Sequence, residues 1–144
     1  MSTVSVPPAS RETRDSGFHV TAKFASLAAP DRTEEVSLLV DTGATLSWIP
    51  IDILERLGAV AYSRLPFTRT DGRRLERDTT VVLLTIDGRK APVTVAFGEP
   101  GEGPVLGATA LEGLGFTVDS LAQRLIPRNL RVLASIQTVE LVPA

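Results

Sequence analysis

The run Val36-Ser37-Leu38-Leu39-Val40 leads without a break into Asp41-Thr42-Gly43-Ala44-Thr45. An acidic side chain therefore closes an apolar strand, where its surroundings are expected to be poorly solvated and suited to proton transfer. Gly43 allows the backbone to approach a ligand or another chain closely. Thr42 carries a short hydroxyl able to hydrogen-bond across an interface, and Thr45 can exchange hydrogen bonds with the loop itself. Acid–base chemistry by carboxylates asks one group to take a proton while another gives one, and a single aspartate cannot do both at once. The chain holds one Asp-Thr-Gly, so the second carboxylate has to come from a second copy by twofold symmetry, the commonest oligomer symmetry. Two carboxylates brought together cannot both ionise comfortably and share one proton.

The remaining composition removes competing chemistries. The chain has no Cys and a single His, His19, which excludes thiolate catalysis, disulfides, Cys/His zinc sites and any Ser-His-Asp arrangement not built on His19. His19 has no metal-type or triad-type partner in the sequence and reads as a strand or surface residue. No metal and no cofactor are expected. The formal charge is −2, with Lys and Arg scattered along the chain, which leaves no footprint for a phosphate backbone and excludes nucleic acid as an expected partner. No apolar run approaches the roughly 18 residues of a membrane span, and residues 1–15 lack the layout of a secretory signal. A cytoplasmic location without membrane attachment follows as the expectation.

The elements that must position Asp41 are mostly strands. A chain of 144 residues, 43% apolar and 22% charged, has the size and composition of one globular domain. Residues 1–17 mix Ser, Thr, Pro and charge without periodicity and are expected to form a flexible tail, followed by a folded domain over residues 18–144. β-rich runs bounded by turn residues occupy 18–24, 35–40, 81–86 and 92–97. Asp87-Gly88 between two of them is a hairpin signal, and Asp71-Gly72, in polar surroundings, predicts a second hairpin standing off the core like a flap. Residues 50–57, with a Pro at the start and Gly58 after the end, predict a short helix, and residues 109–114, closed by Gly115, a single turn.

Gly43-Ala44-Thr45 recurs as Gly107-Ala108-Thr109, each copy leading from an apolar segment through a glycine turn toward a helix. Two residues before the glycine, the first copy has Asp41 and the second Val105. The segment Leu38-Leu39-Val40-Asp41-Thr42-Gly43-Ala44-Thr45, the downstream Val105-Leu106-Gly107 and the Asp71-Gly72 hairpin between them resemble the retropepsin family, the single-domain aspartic peptidases that include the retroviral enzymes and bacterial relatives. The resemblance covers roughly residues 18–127.

What the resemblance implies is a mainly β, single-domain fold: a closed, barrel-like half carrying a flap hairpin and one or two short helices. Asp41 would be the catalytic aspartate, and Thr42 would join a hydrogen-bonded lock between two active-site loops. Gly43 and Ala44, with Thr45 beyond them, would shape the loop that faces the substrate backbone. Val105, Leu106 and Gly107 would support that loop from beneath, and Thr70, Asp71, Gly72 and Arg73 would form the flap that covers a peptide or protein substrate. The chain would act as a homodimer, with a terminal interface strand near residues 137–142. Its flap tip has fewer glycines than in the retroviral members, and Ala108 stands where they usually carry a charge; bacterial-type members tolerate both.

Other readings of the same residues follow. An inactive dimerisation or peptide-binding module would share this fold. Asp-Thr-Gly-Ala-Thr also resembles the phosphate loop of sugar kinases and actin-like ATPases, but their two nucleotide-clasping lobes do not fit in a chain of this length. An ordinary turn at Asp41 is the remaining option. Asp52 and Glu55 are expected on a solvated helix face, Asp71 in the turn itself, Asp119 at a strand end and Trp48 in core packing, with the edge of a substrate pocket as its alternative. Arg73 and Arg74 are expected to serve solubility or to touch substrate.

Overall fold

The computed structural model describes residues 17–129. The flexible tail expected over residues 1–17, apart from Gly17, and the interface strand expected near residues 137–142 lie outside them. Nine strands and two short helices are present among the described residues: β1 His19–Ser26, β2 Ala29–Val40, β3 Ser47–Pro50, α1 Ile51–Arg56, β4 Ser63–Thr68, β5 Arg74–Ile86, β6 Arg89–Gly98, β7 Val105–Leu106, α2 Ala108–Leu114, β8 Phe116–Asp119 and β9 Arg124–Pro127. No helix among them is long and apolar enough to cross a membrane.

Alternation builds the core. Val36, Leu38 and Val40 of β2, Val82, Leu84 and Ile86 of β5, and Val93 and Val95 of β6 point inward at every second position and are buried, as the period of a strand requires. The strand order is β1-β2-β7-β3-β6-β5-β4, and β1 also pairs with β5. Six strands therefore close on themselves into a barrel, which removes the exposed sheet edges of an open arrangement. β4 is left outside the closure, paired only to the first half of β5, so the β4–β5 hairpin stands off the barrel as expected. Leu54 and Leu57 from the α1 region, with Ala110, Leu111 and Leu114 of α2, complete the core.

The predicted turns show why the strands change direction where they do. Asp87 and Gly88 both adopt positive φ, 50° and 81°, and join β5 to β6 in the tight hairpin their types favour. Gly115 closes α2 in the left-handed region, and Gly58 follows α1 with φ 72°. The structure also holds elements the sequence reading did not anticipate: the short strand β3, the polar first half of β2, and the β8–β9 hairpin, which forms a separate two-stranded sheet.

Candidate active site

The loop bearing Asp41 is fixed by a crossing of backbone segments. β7 lies between β2, to which it is parallel with Leu39 opposite Val105 and Val40 opposite Leu106, and β3, to which it is antiparallel with Trp48 opposite Val105. The backbone N–H of Asp41 donates to the Leu106 carbonyl at 2.9 Å, extending that parallel ladder by one residue. The chain then turns: Ala44 N–H donates to the Asp41 carbonyl at 3.1 Å, and Gly43 N–H donates to Asp41 Oδ1 at 2.9 Å. This is an Asx-type turn in which the acid uses one oxygen to hold its own loop. The other oxygen has no partner among the described residues.

The two Gly-Ala-Thr segments meet in space. Ala108 N–H donates to the Ala44 carbonyl at 2.8 Å and Thr109 N–H to the Thr45 carbonyl at 3.0 Å, so the start of α2 holds the far side of the Asp41 loop. Gly107 N–H donates to the hydroxyl of the fully buried Ser47 at 2.9 Å. A β-carbon on Gly107 would lie 2.5 Å from the Leu46 carbonyl oxygen and 2.8 Å from that of Ala44. Only glycine fits where the two segments cross. Ser47 was not singled out in the sequence; its signal is a hydroxyl at a position whose neighbours Leu46 and Ile49 are core residues.

Asp41, Thr42, Gly43 and Thr45 are exposed and Ala44 is half-buried. The poorly solvated setting expected for Asp41 is therefore not present in the single chain: the apolar run belongs to β2, whereas the acid sits beyond its end, on the open rim of the barrel. The Thr42 hydroxyl has no partner among the described residues. No group of three or more His, Asp or Glu side chains among the described residues is arranged to hold a metal ion.

Beside the loop runs a continuous row of cross-strand partners, His19, Leu39, Val105, Trp48, Ala96, Thr79 and Ser63. Partners in register share a face of the sheet. Leu38, Val40, Leu106, Ser47 and Ile49 point into the core, so half-buried Leu39, Val105 and Trp48 stand on the other face as an apolar shelf. Asp41 follows two residues after Leu39. Thr79 places the flap relative to this shelf, because the same face of the hairpin carries Leu65, Phe67, Leu75 and Arg77. The Trp48 and Phe67 rings meet edge to face at 4.9 Å. Trp48 thus packs at the root of the flap rather than in the core.

At the flap tip, Gly72 takes φ 87° and Asp71 Oδ1 accepts the Arg73 N–H at 3.0 Å, while Arg69 N–H donates to the Arg73 carbonyl at 2.8 Å. Thr70, Asp71, Gly72 and Arg73 are all exposed. Lower down, Arg77 makes a two-pronged bond to Glu102, with Nε to Oε1 at 2.8 Å and Nη2 to Oε2 at 2.5 Å. Burial alone pushes the Glu102 carboxyl up, but the Arg77 hydrogen bond, the Glu99 N–H and the charges of Arg77 and Arg69 outweigh it and hold the group below its ordinary value.

Among solved structures, the EIAV protease complexed with the inhibitor HBY-793 superposes with a TM-score of 0.53 at 19% identity, over 71% of this chain and 91% of that one. The chain has the retropepsin-like fold. The simian foamy virus (mac) protease, seen in solution, aligns with a TM-score of 0.45 at 18% identity over 66% of this chain and 92% of that one. No protein-family model matches the sequence, and no curated protein does. In this retropepsin-like arrangement Asp41 lies at the barrel rim, Val105-Leu106-Gly107 lies directly against its loop, and the β4–β5 hairpin overhangs the shelf.

Proposed function

We propose that the chain is one half of an aspartic endopeptidase, in which two copies each contribute Asp41 to one active site. The observation that carries this reading is an exposed aspartate whose loop is fixed from both sides, by Leu106 and by α2, while its carboxylate bonds only the Gly43 N–H among the described residues. A rigidly presented acid on an open rim has the form of half a site, and a second copy would supply both the missing carboxylate and the desolvation that the single chain lacks. Thr42, exposed and without a partner among the described residues, is suited to bond across such an interface.

In the mechanism one Asp41 takes a proton from water as the water attacks the peptide carbonyl. The other gives its proton to the carbonyl oxygen, with no covalent intermediate. The substrate lies extended along the shelf of Leu39 and Val105, with the Trp48–Phe67 contact walling the root of the flap, and the hairpin around residues 70–73 closes over it to exclude water. The single flap-tip glycine and Ala108 after Gly107 are departures from the retroviral pattern that a bacterial-type member tolerates. The test is cleavage of a diverse peptide library across pH by wild type and Asp41→Asn, with the dimer fraction recorded in the same buffers. Cleavage by wild type alone supports the proposal; a dimeric wild type that cleaves nothing replaces it with a peptide-binding module.

A further inference from the structure

The flap is attached to the rest of the cleft at two points on the same face, one on each of its strands. On β4, Phe67 rests against Trp48 of β3. On β5, Arg77 is clamped by Glu102, from the segment between β6 and β7 that leads into the Asp41 support. The register sets these anchors at nearly the same height, since Phe67 pairs with Leu75 and Leu65 with Arg77. The clamp is more than a surface ion pair. The Arg77 and Glu102 side chains are only 17% and 26% exposed, and the contact is bidentate, the geometry in which a guanidinium fixes orientation as well as charge. Glu102 Oε1 also accepts the Glu99 N–H at 3.0 Å, which folds the segment around the carboxylate, and Glu99 adds a second contact to Arg77 at 3.6 Å. The other ion pairs of the hairpin, Arg64 with Glu76 and Asp78, and Arg69 with Asp71, lie within it and more than 45% exposed. Such pairs add little.

We propose that Arg77 and Glu102 form a latch that fixes the root of the flap to the segment opposite it. Opening is thereby confined to the tip, residues 68–74, and the root is held in position to bind substrate. Arg77 and Glu102 are positioning residues for the peptidase site proposed above, and the latch rests on that reading only for its effect on cleavage. Within the chain, a hinge beyond two anchors moves a short turn closed by Gly72 and leaves the shelf-facing residues Leu65, Phe67 and Leu75 in place. Without the latch the part of the hairpin outside the barrel closure, β4 with residues 74–78 of β5, can swing about Thr79, where β5 begins to pair with β6.

The experiment compares wild type, Arg77→Gln, Glu102→Gln and the exchanged pair R77E/E102R by backbone hydrogen exchange and by peptide-cleavage kinetics. In wild type, fast exchange is expected at residues 68–74, with protection resuming along β4 and at Leu75 and beyond. Either single variant is expected to lose protection at the flap root while β1 and β2 keep theirs, and to raise KM about tenfold, more than it lowers kcat. The exchanged pair is expected to recover a substantial part of both. Unchanged exchange at the root in both single variants overturns the latch, as does loss of protection throughout the barrel, or single-variant effects that the exchanged pair does not recover. The exchange measurement decides the latch even if wild type cleaves no peptide, an outcome that would count against the peptidase reading alone.

Discussion

The Thr109 hydroxyl donates a 2.7 Å hydrogen bond to the carbonyl of Thr45, a residue 64 positions earlier and the matching member of the other Gly-Ala-Thr. The repeated tripeptide is thus a physical contact: the second copy, at the start of α2, holds the first, which carries Asp41. The same carbonyl also accepts the Thr109 backbone N–H, so Thr109→Val leaves it satisfied. The expected cost is small, about 0.5–1.5 kcal/mol, with Thr109→Ser close to wild type; chemical denaturation of the three proteins measures it.

Ser47→Ala should cost more, although it removes the same kind of group. The Ser47 hydroxyl is fully buried and accepts the Gly107 N–H. Its loss leaves a buried donor without a partner, which costs about 1–3 kcal/mol. A melting temperature lowered by several degrees, against a smaller drop for Thr109→Val, is the expected order.

Gly107→Ala tests the crossing itself. The new β-carbon would meet three backbone atoms, of Leu46 and Ala44, between 2.5 and 2.8 Å, and backbone cannot swing aside as a flexible side chain does. Either α2 or the Asp41 loop has to shift. Overpacking of this kind costs about 1–3 kcal/mol or more, and cleavage is expected to fall further than stability does, because the displaced loop carries Asp41. Parallel activity and thermal melts separate the two effects.

These contacts mark how far the sequence could be read. The site loop was legible because its logic is local: an apolar strand, an acid that caps its own turn, and a glycine. The Asp87-Gly88 hairpin was legible for the same reason, since both residues tolerate positive φ. β3 was not, because four residues ending in Pro50 hold no period, and its partners are Val105 and residues 95–98 of β6. The β8–β9 hairpin was missed because its turn lacks glycine and uses Gln123 at φ 54°. The first half of β2 reads as a charged loop and is a strand only because β1 pairs with it. The exposure of Asp41 is not legible in the sequence, because hydropathy describes the strand and not the open rim where it ends.

Acid should loosen the flap root before it unfolds the barrel. Glu102 is faced by Arg77, Arg69 and Glu99, and its pKa is lowered from the ordinary 4.5. A carboxylate whose folded pKa lies below its unfolded one adds stability above the unfolded value and loses it as pH falls through the folded value. The difference in melting temperature between wild type and Glu102→Gln should therefore be full at neutral pH and shrink below about pH 4.5. A difference that stays constant from neutral to acid would show that Glu102 acts by packing rather than by charge.

Mixing wild type with Asp41→Asn asks whether one site needs both chains. If each site uses two Asp41 side chains and subunits exchange freely, an equal mixture of the two proteins contains about one quarter wild-type pairs, one half mixed pairs and one quarter variant pairs. A mixed pair holds one carboxylate, which cannot act as base and acid together. Activity at fixed total protein should then fall with the square of the wild-type fraction, to about one quarter at equal mixing after equilibration. A linear fall to about one half would mean that each Asp41 works alone, against the twofold site. Because the Asp41 carboxylate bonds only the Gly43 N–H within its own described chain, Asn at this position keeps an oxygen for that bond, and the mixed pairs should assemble as readily as the others.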